Sequence, residues 1–328
     1  MSLPARSPFA RPFAPSSVPA EPRLDAASQA VGDATQPPSP ASVTSAWQSP
    51  SHERLSQRQL IALADRLPDR ERRIVQTVDE FRLLRADQIR RLFFHEITSV
   101  DGSARVCRRS LSQLCDTGLL HRLERRVGGS GGGGSGYVYA LTAAGRRLLA
   151  YWDGSGLPSD RGVHEPGAGF VEHTLAIGEL YVTLLAADRA GMLAFVAFDA
   201  EPASWRTYTT PFAATVTVKP DALVRVAAGD YEVSSFVEID QSTQGRGALL
   251  RKVAGYVALY GSGREQASTG VFPRVVWITQ TPVRARFIEE LLAGLRPESR
   301  RLFAVTTSAG ALATLSGDDL AAEAGGEQ

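Results

Sequence analysis

Between residues 55 and 152 the apolar residues repeat first at a helical and then at a strand spacing, and this change of period limits the fold more than any other feature. Leu55, Leu60, Leu63 and Leu67 precede Pro68, and Ile74, Val75, Val78 and Phe81 follow, spaced as one face of a helix requires. Leu84 leads into a second short helix over Ala86 to Phe93. A third begins after Asp101-Gly102-Ser103, with Ser103 or Asp101 as its N-cap, and runs through Val106, Leu111 and Leu114 to Gly118. Leu119 to Leu123 then alternates as a strand, Val127 to Gly136 is a glycine-rich tip, and Tyr137 to Leu141 returns as the partner strand. Thr142 to Leu149 opens another helix.

Three helices followed by a β-hairpin is the order of a winged helix-turn-helix. In such a unit the second helix of the pair enters the major groove and needs donors on its solvent face. Here Arg105 and Arg109 share a face, Arg108 sits beside them, and Val106, Leu111 and Leu114 point inward. Arg125 and Arg126 flank the hairpin tip, within reach of a minor groove or the backbone. These five arginines are the candidate DNA-binding residues. The alternative is a solvated basic face, since the same fold also serves protein contacts.

Charge supports the first reading. The whole chain of 328 residues carries a formal net charge of +1, but residues 55 to 152 hold 17 Arg against 10 Asp plus Glu. That stretch is basic by seven and the remainder acidic by six. A basic front module is the electrostatic footprint of phosphate binding and favours nucleic acid over small metabolites.

The length suggests two domains plus segments without a core. Residues 1 to 54 are dominated by Pro, Ser and Ala and are expected to be disordered, either as an inert tail or as a partner-binding segment using Phe9, Phe13 and Trp47. Residues 55 to 152 form the winged helix-turn-helix, 153 to 168 a linker, 169 to 318 an α/β domain and 319 to 328 a frayed tail. The fold class is α+β. No apolar run of membrane-spanning length and no secretory h-region is read from the sequence, so the cytoplasm is the expected compartment. Cys107 and Cys115 read as small buried residues of one helix rather than metal ligands.

The rear domain opens with a helix over Val171 to Ala190, followed by strands near Leu193 to Phe198, Thr215 to Val218, Ala222 to Val226 and Phe236 to Ile239. A helix over Gly247 to Tyr260, a strand over Arg274 to Ile278, a helix over Val283 to Leu295 and a strand over Leu302 to Thr306 complete it. Lys219-Pro220-Asp221 sits at a strand junction, and Phe236-Val237-Glu238-Ile239-Asp240 ends a later strand. Carboxylates on adjacent strands can share one divalent cation, Mg²⁺ or Mn²⁺, that polarises a phosphate. Ordinary strand-end carboxylates are the alternative. The pattern resembles the PD-(D/E)XK nuclease fold, with Asp221 and Glu238 as the acidic metal ligands. That resemblance implies a further glutamate from the first helix, for which Glu179 is the candidate. It departs from the usual motif in placing Asp240 where the family has Lys. Lys252, one of only two lysines in the chain, sits four residues before Tyr256 on the next helix and can supply the missing cation. His173 lies six residues before Glu179.

The order of these motifs, from Tyr-Val-Tyr-Ala-Leu-Thr-Ala-Ala-Gly-Arg through His-Thr-Leu-Ala-Ile-Gly-Glu-Leu and Lys-Pro-Asp-Ala-Leu to Phe-Val-Glu-Ile-Asp, resembles the replication-relaxation family of actinobacterial plasmids and mobile elements. The resemblance spans about residues 70 to 305 and implies a role in replication, relaxation or mobilisation of plasmid DNA. Double-stranded DNA is then the expected partner, with a second copy of the chain and replication or conjugation proteins as further ones. Three functions stay open: a DNA-binding accessory protein, a metal-dependent nickase or endonuclease using Glu179, Asp221, Glu238, Asp240 and Lys252, and a winged-helix transcriptional regulator.

Overall fold

The computed structural model describes residues 55–123, 136–155, 167–210, 212–228 and 231–317, together with the backbone of 10–12. Strand β1 (Ala10–Pro12) runs antiparallel to a strand of the rear sheet, within the stretch expected to be disordered. Helix α1 (Gln57–Arg66) is capped by Ser56, whose hydroxyl accepts from the Gln59 amide while the Gln59 side chain accepts from the Ser56 amide. It ends because Leu67 precedes Pro68 and is held extended. Helix α2 (Asp69–Glu80) then starts with Asp69 and Glu71 in its first turn, where its dipole favours negative charge.

After α2, Arg82 takes a left-handed turn (φ 62°) into β2 (Leu83–Arg85), a strand the sequence reading lacked. Helix α3 (Ala86–Phe93) and helix α4 (Val100–Asp116) follow. The N-cap of α4 is Ser99, which accepts from the Gly102 amide, and neither Asp101 nor Ser103. Ser103 is buried and donates to the Val100 carbonyl. Strands β3 (Leu120–Arg122) and β4 (Val138–Leu141) pair antiparallel, and β2 pairs on the other edge of β4, so the hairpin is a three-stranded sheet in the order β2-β4-β3. Helix α5 (Ala143–Trp152) closes the unit, capped by Thr142. The tip of the hairpin, with Arg125 and Arg126, lies outside the described residues, as do most of the expected linker and the two tails.

Helix α6 (Ala168–Arg189) is long and apolar enough to cross a membrane by length and composition, but here it is a core helix with buried residues on most of its circumference. Beyond it come β5 (Ala194–Ala200), a two-stranded hairpin of β6 (Arg206–Thr209) and β7 (Thr215–Val218), then β8 (Ala222–Ala228) and β9 (Tyr231–Asp240). Helices α7 (Arg246–Gly261) and α8 (Arg264–Thr269) lead to β10 (Arg274–Thr279), and α9 (Pro282–Ala293) and α10 (Pro297–Arg300) lead to β11 (Phe303–Thr307) and α11 (Ala311–Ser316).

The main sheet runs β11-β10-β9-β8-β5, with β1 beside the start of β9. Strands β9, β10 and β11 are parallel, and β8 is antiparallel to both β9 and β5. Strand β9 is buried along nearly its whole length because both of its faces are covered. Its alternation sorts the core: Phe236 packs with Tyr256, Trp277, Ile288 and Phe303 under α7 and α9, while Val233 and Val237 pack with Val276 and Ile278 towards α6 and α11.

The α6-side core does not stop at the sheet. Ile177, Leu180 and Leu184 of α6 belong to one apolar cluster with Ile74, Val78, Leu84, Ile89, Leu111 and Leu148 of the front unit. Phe81, Tyr181 and Phe198 stack within it, with ring centroids 4.8 Å apart for Phe81–Tyr181 and 5.3 Å for Tyr181–Phe198. The front unit and the sheet therefore share one core, with α6 packed against both.

Gly145 marks the tightest point of the front unit. A Cβ there would lie 2.5 Å from the Leu119 carbonyl oxygen and 2.7 Å from the Leu141 side chain. The Leu119 carbonyl is held by the Thr142 amide and cannot move aside freely. Gly145→Ala is predicted to lower the midpoint of urea unfolding by the equivalent of about 1–3 kcal/mol; an unchanged midpoint would show that α5 can shift.

Candidate functional site

Alternation along β9 turns Phe236, Glu238 and Asp240 to the same face, and the antiparallel register sets Asp221, just before β8, beside the end of that strand. The carboxylates therefore gather at the carboxyl ends of the parallel strands, where open α/β sheets form their crevices. Asp221 is buried. Its amide donates to the Val237 carbonyl (3.0 Å), its Oδ2 accepts from the Ile239 amide (2.7 Å), and its Oδ1 lies 3.2 Å from His173 Nε2.

Glu238 is 2% exposed and meets two polar side chains of α7. Lys252 forms an ion pair with its Oε2, and the Tyr256 hydroxyl donates to its Oε1 at 2.6 Å. The i, i+4 spacing of Lys252 and Tyr256 sets both on the helix face that covers β9. Burial raises the Glu238 carboxyl, Asp221 raises it further, and Lys252 and Tyr256 reverse only part of this, leaving it at about 7. Burial also works against the Lys252 ammonium, but Glu238 and Asp221 together outweigh it and hold Lys252 above the usual lysine value. The hydrogen bond to Asp221 outweighs burial at His173 and raises its imidazole.

Two expected members of the site are engaged by other partners. Glu179 does not join Asp221 and Glu238: it faces the front unit, ion-paired with Arg85 (3.1 Å) and Arg91 and accepting from Gln88 Nε2 (3.1 Å). The contribution of α6 to the site is His173 instead, because six residues turn a helix by about 240° and only one of the two positions can face the strand ends. Asp240 is near Glu238 but engaged by Arg284, which reaches Oδ1 at 2.7 Å and Oδ2 at 2.8 Å, while the Ser242 amide donates to Oδ1. Arg284 comes from α9 and carried no signal in the sequence.

The donor set can be compared with a divalent cation's needs. Both oxygens of Asp221, Glu238 and Asp240 already have protein partners, and among the described residues no group of three or more His, Cys, Asp or Glu side chains is placed to hold a metal ion. The arrangement does not fit Mg²⁺ or Mn²⁺ as it stands, because Lys252 already neutralises Glu238 from within hydrogen-bonding distance.

On the front unit, Arg105, Arg108 and Arg109 are all exposed on α4, joined by Ser112 and Gln113. None of the three arginines forms a salt bridge with a described residue. Val106 is 40% exposed rather than inward, and Cys107 occupies the inward position. Cys107 and Cys115 are free thiols that burial pushes up to about 12 and about 11, which keeps them protonated and unreactive.

A model of the replication-relaxation family matches residues 75–275. The chain belongs to the replication-relaxation family. Within this family member the match begins inside α2 and ends in β10, so it takes in α4, the Glu179 contacts and the whole acidic network except Arg284. No curated protein and no solved structure matches the chain.

The raised carboxyl gives the site a pH signature. Glu238 titrates at about 7 in the folded chain against an ordinary value of 4.5, so its contribution to stability is complete below about 4.5 and is lost as pH rises through about 7. His173, also raised, contributes fully below its ordinary 6.5 and loses that contribution above its folded value. Both make stability fall as pH rises. Glu238→Gln keeps the hydrogen-bonding capacity without the ionisation, and should flatten the fall between about pH 5 and 7 in equilibrium unfolding. A parallel pH dependence in the two proteins would mean that Glu238 is ionised throughout.

Proposed function

We propose that this replication-relaxation protein is a duplex-DNA-binding accessory factor of plasmid or mobile-element replication, relaxation or mobilisation. The exposed Arg105, Arg108 and Arg109 on α4 carry the reading. The order α2-β2-α3-α4-β3-β4 supports a winged helix-turn-helix, in which α4 is the helix that lies in the major groove. The basic surplus of residues 55 to 152 supplies the sequence-independent attraction to phosphates.

In the rear unit, the succession α6-β5-β8-β9-α7-β10 with Asp221 on β8's leading edge and Glu238 on β9 supports a PD-(D/E)XK-like scaffold. Its carboxylates are engaged by Lys252, His173 and Arg284, so the scaffold is read as a binding and positioning element and no metal step is assigned to it. Recognition then rests with the front unit, and the rear unit presents a fixed second surface to neighbouring DNA.

Duplex binding is expected to weaken with salt. Arg105→Ala and Arg109→Ala should each lower affinity and reduce the slope of log affinity against log salt by about 1 for every phosphate contact removed. Fluorescence anisotropy with a labelled duplex across a salt series reads both quantities. Unchanged affinity and slope in both variants would remove α4 from the interface. Incubation with supercoiled plasmid and Mg²⁺ or Mn²⁺ should leave the plasmid intact; nicking that is lost in Glu238→Ala would replace this reading with a nuclease.

A further inference from the structure

We infer that α4 reads base sequence as well as phosphate charge, with Val106 as the residue that recognises a thymine methyl group. The inference rests on the winged-helix reading and deepens it. Gly102, Val106, Arg109 and Gln113 follow one another at spacings of four, three and four, which places them on a single stripe along the helix. Val106, Arg109 and Gln113 are exposed, and Gly102, half-buried beside Ser99 and Ile97, begins the stripe one turn before Val106.

An isolated exposed valine on a protein surface is ordinary. Val106 is not isolated in chemistry: it sits directly beside Arg105 and one turn before Arg109, on a helix whose three exposed arginines form no salt bridge with a described residue. A partner that satisfies this stripe must present an apolar group between strong hydrogen-bond acceptors. The major groove does so, with the thymine C5-methyl, the guanine O6 and N7 acceptors, and the adenine N6 and N7 edge that matches a glutamine amide. An acidic protein surface would meet the arginines but has no reason to reward the valine.

Spacing fits the same partner. From Val106 to Gln113 the helix rises about 10 Å, close to three base steps at about 3.4 Å each. A helix lying along the groove would therefore carry valine, arginine and glutamine past successive bases, giving selectivity for a short run that contains thymine, guanine and adenine.

The test is a binding-site selection with the full chain on a random duplex library. Affinities are then measured for the selected duplex and for copies in which each thymine in turn is replaced by deoxyuridine, using the unmodified protein and Val106→Ala. Because Val106 is exposed, this variant should fold as the parent does. The expected result is one position where loss of the methyl weakens the unmodified protein about fourfold, the worth of one methyl group removed from water, and leaves Val106→Ala unaffected. The coupling between the two changes isolates the contact. Equal weakening of both proteins, or a selection that returns no preferred sequence while salt-dependent duplex binding persists, would overturn the inference and leave the winged-helix reading standing. No duplex binding by the unmodified protein would remove both.

Discussion

Everything in this molecule is arranged about α6, and the contact that fixes α6 is its junction with α3. Gln88 is fully buried, donating from Nε2 to the Leu175 carbonyl (2.9 Å) and to Glu179 (3.1 Å), while its Oε1 accepts from the Arg85 amide (2.9 Å). Glu179 is held between Arg85 and Arg91, and at the far end of α6 Arg189 donates to the carbonyls of Arg91 and Leu92. Gly178 lets α6 come this close to β2, since a Cβ there would lie 2.9 Å from a Leu84 methyl. The ion pairs are each about one-third exposed and count for little individually. The buried amide and the apolar cluster dominate, because separating the helices would leave a buried glutamine without partners and expose Leu84, Ile89 and Leu180.

That junction sets the rear site as well. His173 rides on the same helix, so the rotation of α6 that seats Glu179 against α3 also brings the imidazole to Asp221. From there the network passes through β8 and β9 to Glu238, Lys252 and Tyr256, and along β9 to Asp240 and Arg284. Each carboxylate is matched by a basic side chain from a different element: His173 of α6, Lys252 of α7 or Arg284 of α9. The network thus binds the crevice together as much as it offers chemistry, whereas the three arginines on α4 stand exposed.

Much of this was legible in the sequence where the signal was local. Helical spacing placed α3, α4 and α6 within a few residues, and the i, i+4 spacing of Lys252 and Tyr256 set both on one face of α7. Features made by distant partners were not legible. Strand β2 is three residues long and exists only because β4 lies beside it. Hairpin strand β6 (four residues) and helix α11 (six residues) are also short. The choice between His173 and Glu179 depends on how α6 is rotated, which its continuous apolarity leaves undetermined. Val106 falls outside the inward face of α4, which runs through Ser103, Cys107, Ser110, Leu111 and Leu114 and so includes two serines that apolar spacing alone passes over. Arg284 has no local pattern at all. The shared core around α6 likewise could not be read from a chain whose composition between residues 153 and 168 suggests a boundary.

The central claim is that α6 makes the front unit and the sheet one cooperative body. Differential scanning calorimetry of the full chain tests it most directly. The account predicts a single transition whose calorimetric and van't Hoff enthalpies agree. Two transitions, one for the front unit and one for the sheet, would show that the α3–α6 junction does not couple them and would contradict it.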